Sequence, residues 1–121
     1  MKCIPFALAI CFFSIFLSCN NTDRKSMLLG EWRGVTWMIE GNPSDYDAKQ
    51  VHFSFTNDDR YTSDFGADHE KGSYILREDK LFTTPDDELE IMVKIAKLTR
   101  DSLVFDMNRS GRAETLTLVR K

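Results

Sequence analysis

From Met27 onward, short runs that alternate apolar and polar side chains recur about every ten to twelve residues, each closed by turn residues. No segment between them carries apolar residues at helical spacing over a helix length, so the chain can bury apolar surface only by pairing strands. The pattern predicts strands over 32–39, 50–56, 60–65, 72–77, 80–84, 88–98, 102–107 and 112–120. Val51, Phe53 and Phe55 share one face of the second strand, with Gln50, His52 and Ser54 opposite. In the sixth, Leu89, Ile91, Val93 and Ile95 alternate with Glu90, Met92, Lys94 and Ala96, and Leu116 and Leu118 point inward from the last.

Connections this short dictate an antiparallel meander. Eight strands with one apolar face each can hide it by closing on themselves, which also removes the unpaired edges. The fold class expected is therefore all-β, an eight-stranded antiparallel up-and-down barrel, with a two-layer sandwich of the same strands as the alternative. The first strand breaks its own alternation, since Trp32 is out of phase with Val35, Trp37 and Ile39; a bulge at Arg33-Gly34 reconciles them. The longest connection, 40–49, contains Gly41, Asn42, Pro43 and Tyr46 and reads as a flap over one mouth of the barrel.

The N-terminus is a different material. Lys2 precedes an apolar run from Cys3 to Leu17 broken only by Pro5 and Ser14, too short for the roughly 20 residues of a membrane span and followed at once by polar residues. Phe16-Leu17-Ser18-Cys19 resembles the lipobox of bacterial lipoproteins. That resemblance implies an exported chain with residues 1–18 as signal peptide, lipidation at the Cys19 sulfur, and membrane lipid as a partner through the acylated residue. Asn20 after the cysteine implies sorting to the outer membrane of the cell envelope. Residues 19–26 read as a lipidated tether without periodicity, and 27–121 as the barrel domain. The three cysteines all lie at or before position 19, so the domain folds without disulfides and has no thiol for nucleophilic chemistry.

Gly30-x-Trp32 at the start of the first strand, Phe53-x-Phe55 before an acidic hairpin and Tyr61, Gly72-x-Tyr74, Leu103-x-Phe105 and a late Arg120 occur in that order along the barrel. This set resembles the small lipocalin-like domains of bacterial lipoproteins. The resemblance implies that Trp32 plugs the closed end of the barrel with Arg120 packed across it. It also implies a non-enzymatic binder of a small apolar molecule. Typical lipocalins carry a helix after the eighth strand, whereas here the sequence stops after its last strand, so the match is to a reduced barrel.

Trp37, Phe53, Phe55, Tyr61, Phe65, Tyr74 and Phe105 are the candidate walls of a ligand cavity, with Tyr46 on the long loop at its mouth. The competing reading makes the same aromatics a filled core, and the domain a cell-envelope protein-interaction or inhibitor module anchored through Tyr46. His52 and His69 read as surface residues without a nucleophile motif nearby, so no catalytic residue is assigned. The acidic clusters all fall in turns and none has a calcium-loop spacing, so neither metal nor cofactor is expected. With 16 basic and 19 acidic side chains interspersed, a net charge of −3 gives no case for nucleic acid as a partner.

Overall fold

A computed structural model describes residues 21–121. The expected signal peptide, residues 1–18, and Cys19 lie outside the described residues. Along the chain come α1 (Asn21–Leu28), β1 (Gly30–Ile39), β2 (Asn42–Pro43), a turn of 3-10 helix (Ala48–Gln50), β3 (Val51–Phe55), β4 (Arg60–Phe65), β5 (Asp68–Arg77), β6 (Lys80–Pro85), β7 (Ile91–Leu98), β8 (Ser102–Arg109) and β9 (Arg112–Arg120). From β3 to β9 each strand pairs antiparallel with the next. β1 pairs β3 on one side and β9 on the other, from Trp32 opposite Arg120 to Ile39 opposite Glu114. That seam closes eight strands into the expected barrel and leaves no place for the sandwich. The ninth strand, β2, is two residues folded back on Met38 and Ile39.

One end of the barrel is sealed by chemistry that Gly30, Trp32 and Arg120 share. The last carbonyls of a helix have no partner within it. Here the Trp32 indole Nε1 donates to Leu28 O at 2.8 Å, and the Arg120 guanidinium donates to Met27 O and Leu29 O. The guanidinium lies 4.1 Å from the centre of the Trp32 ring, so one cation caps the negative end of α1 and covers the indole face. Gly30 has φ +115°, and a Cβ there would sit 2.6 Å from the guanidinium. Leu28 and Trp32 are fully buried beneath this lid. Trp32 and Arg120, the pair expected at the closed end of the barrel, stand together at this end.

Several local expectations are corrected. The stretch read as an irregular tether is helical from Asn21, and it is held to the barrel by Arg24 Nε donating to Glu78 O and by an ion pair of Lys25 with Asp59. The β1 bulge falls one residue later than Arg33-Gly34, at Val35, which turns outward while Gly34 takes the inward place. β5 begins at Asp68 rather than Gly72, pairing with the whole of β4, so His69 is a strand residue and only Gly66 and Ala67 turn. β7 begins at Ile91 rather than Glu88: Glu88 N closes a turn onto Pro85 O, and Leu89 is 87% exposed. A second bulge between Ile95 and Lys97 shifts the phase so that Leu98 also faces in.

Candidate functional site

The end opposite α1 is open. It leads into a cavity of about 610 Å³, within the range that holds small ligands. Of the aromatics expected on its walls, Trp37, Tyr46, Phe53, Tyr61, Phe65 and Phe105 line it. Phe55 and Tyr74 do not. They are buried deeper, edge to face at 5.2 Å, and the Tyr74 hydroxyl donates to Thr56 O at 3.0 Å, so they pack beneath the cavity rather than in it. Burial pushes the Tyr74 phenol up to about 12. Sequence phase puts all these residues on the inner face, but phase says nothing about depth along the barrel axis, and the plug fills the end where Phe55 and Tyr74 lie.

The mouth is formed where β1 meets the long connection. Ser44 N donates to Trp37 O at 2.9 Å, the Tyr46 ring sits 4.6 Å from that of Trp37, and Asp47 caps the 3-10 turn by accepting from Lys49 N. Ala48, buried, is pressed against Gly34. The connection expected as a flap is therefore packed against the inward face of β1 at Gly34, with Tyr46, half exposed, reaching the cavity rim.

Trp37 is also the centre of a polar cluster absent from the sequence reading. Its indole Nε1 donates to Glu114 Oε1 at 2.8 Å, and Arg109 Nη1 lies 3.6 Å from the same oxygen. Glu114 is only 3% exposed, and the Arg109 guanidinium lies 5.9 Å from the Trp37 ring centre. A buried carboxylate needs such partners. Its position was legible: Glu114 is in phase with Leu116 and Leu118.

The opposite wall carries a second polar group. The Tyr61 hydroxyl donates to Glu70 Oε2 at 2.7 Å; burial first, and then that carboxylate, hold the phenol far above its ordinary value, so it stays a donor. Ser63 and Glu70 are directly opposed across β4 and β5, and Asp68 and Thr83 also line the cavity. Starting the strand at residue 72 hid Asp68 and Glu70. Extending the Tyr74, Gly72 phase down the strand would have placed both inside. Of the two histidines, His69 Nδ1 lies 2.5 Å from Asp64 Oδ1 on the outer face, and His52 is half-buried rather than solvated.

A closed eight-stranded antiparallel barrel, plugged at one end by a tryptophan and an arginine and open at the other into an aromatic cavity, defines a lipocalin-like barrel architecture. The family profile described as "Lipocalin-like domain" matches residues 28–105, and the chain belongs to that family. Two crystal structures share the fold. One is a lipocalin-like protein from Bacteroides uniformis ATCC 8492, at 14% identity and TM-score 0.61, covering 78% of this chain and 99% of that one. The other is an uncharacterized protein from Bacteroides eggerthii DSM 20697, at 12% identity and TM-score 0.61, covering 77% and 98%. No protein with a curated description matches the sequence.

Proposed function

We propose that this chain is a membrane-anchored lipocalin-like lipoprotein that binds a small apolar molecule in the mouth of its barrel. The observation that carries the reading is the open cavity of about 610 Å³ walled by Trp37, Phe53, Phe65 and Phe105. A packed interaction module would have these side chains fill the interior; here they leave a ligand-sized space. The reading is of a binder and not an enzyme.

Trp32 lies buried in the plug and Trp37 on the cavity wall, so ligand entry is read through Trp37 alone. Titrating the delipidated protein with a library of apolar small molecules is expected to change Trp37 emission saturably and raise the melting temperature. At a ligand concentration of 100 Kd, binding adds about 2.7 kcal/mol to stability. A Trp37→Phe variant should lose the emission change and keep the thermal shift. A library without any saturable response or shift overturns the reading.

The anchor rests on the leader sequence. Exported from a bacterial host, the chain is expected in the outer-membrane fraction, with a mass at Cys19 that includes acyl chains. Cys19→Ser is expected to move it out of the membrane fraction, because only the sulfur can take the diacylglyceryl group. Retention of Cys19→Ser in the membrane would remove the anchor from the proposal.

A further inference from the structure

The cavity has a charge asymmetry that says what kind of molecule fits it. On the β5 wall Asp68 and Glu70 face inward, and neither carboxylate is in an ion pair among the described residues. The cation of the lining, Arg109, stands on β8 and is matched by the buried Glu114. Counting Arg109 and Glu114 as neutral together, the cavity keeps two uncompensated negative charges, both on one side.

The same side holds an unfilled hydrogen-bonding position. Ser63 is 2% exposed and belongs to the cavity lining, and its buried Oγ has no hydrogen-bond partner among the described residues. Buried hydroxyls are almost always paired, and an unpaired one is unfavourable. Glu70 stands opposite it in register and accepts from Tyr61 through one oxygen, while an ionised carboxylate has about four acceptor sites. Tyr61 already spends its proton on Glu70. The wall therefore offers acceptors in excess: Glu70, Asp68 and the Ser63 oxygen. Phe53, the cross-strand neighbour of Ser63, gives with Phe105, Leu116 and Val93 an apolar surface for a tail.

We propose that the ligand is an amphiphile with a cationic hydrogen-bond donor at its polar end, of the ammonium class, seated against Ser63, Glu70 and Asp68 with its apolar part along Phe53 and Phe105. This rests on the cavity reading above and sharpens it. A fatty-acid carboxylate would meet two like charges on the wall and leave the Glu70 acceptors unused.

Three probes with the same ten-carbon tail test it at pH 7, where an alkylamine is protonated: decylamine, decanol and decanoate, each titrated by calorimetry. Decylamine is expected to bind at least tenfold tighter than decanoate, with decanol between them. Glu70→Gln, which keeps an acceptor for Tyr61, is expected to lower decylamine affinity about tenfold and to narrow its advantage over decanol. Asp64→Asn removes a carboxylate from the outer face of the same strand pair and is expected to change decylamine affinity less than twofold. Asp68→Asn is the second inward variant, should Glu70→Gln lower the melting temperature. Decanoate binding as tightly as decylamine overturns the head-group assignment and leaves the cavity reading standing, as does an Asp64→Asn loss equal to that of Glu70→Gln. Binding by none of the three overturns the assignment and counts against the cavity itself.

Discussion

Trp32→Ala is expected to lower the melting temperature of the domain by roughly 15 to 30 °C. Truncating a buried tryptophan costs about 3 to 5 kcal/mol, and in a domain of this size each kcal/mol is worth about 4 to 8 °C. Trp32 has no exposed surface, so the full transfer and cavity costs apply. Two further contacts are lost with it. Leu28 O loses the indole donor, and the Arg120 guanidinium loses the ring it covers at 4.1 Å. Trp32→Phe separates these contributions, because it keeps most of the apolar volume and removes only the donor. Its expected cost is about 1 to 3 kcal/mol, that of leaving one buried carbonyl unpaired. Arg120→Met, which strips the donors from Met27 O and Leu29 O, should fall between the two. Calorimetric melting of the three variants checks the order. A Trp32→Ala shift below about 5 °C would mean that the end of α1 is not held by this side chain.

The plug was legible in the sequence because its parts are rare residues at fixed places: a glycine, a tryptophan two positions on, and an arginine in the last strand. The helix they cap was not. Asn21–Leu28 is polar and has weak amphipathicity, and its order comes from distant partners, Glu78, Asp59 and Arg120, that no local pattern encodes. The strands were legible because one buried face imposes a period of two. Their ends were less so. Phase alone put Leu89 inside, yet the β6–β7 ladder stops at Thr83 opposite Ile91, and the turn that Glu88 N closes onto Pro85 O takes the chain before it out of the sheet. Conversely, the first residues of β5 looked like a turn because they are charged. They are charged on the inside because that part of the barrel is open. The same opening explains the candidate site: its aromatics followed from alternation, whereas Asp68, Glu70 and Arg109 lie outside the strands that alternation gave, at strand ends that the structure extends. Depth along the axis, which separates Phe53 from Phe55, depends on which end is plugged and is invisible to a pattern with period two.

Beside the bulge at Val35, Gly34 leaves room for another backbone, and Gly34→Ala should therefore be among the most damaging single-methyl additions to this chain. A Cβ at Gly34 would lie 2.1 Å from Ala48 O, 3.0 Å from Ala48 C and 3.2 Å from Val51 Cβ. The first two are main-chain atoms and cannot rotate aside. Relief requires the 3-10 turn to lift off β1, at a cost of about 3 kcal/mol or more, the upper end for overpacking. Lifting the turn also pulls on the connection that leads into it. Tyr46 leaves its place against Trp37, the cavity rim opens, and ligand affinity is expected to fall at least tenfold alongside a drop in melting temperature of roughly 10 to 20 °C. Gly41→Ala is the comparison. Its Cβ meets nothing within 4 Å, but its φ of +78° makes an L side chain cost about 1 to 2 kcal/mol at the tip of the β1–β2 turn. It should lower stability modestly and leave ligand affinity within about twofold, since the turn tip touches neither Tyr46 nor the cavity wall. If Gly34→Ala lost stability while binding as tightly as the parent, the docked connection would be scaffolding alone. Parallel loss of both makes the contact between Gly34 and Ala48 the joint through which the barrel wall sets the shape of the cavity mouth.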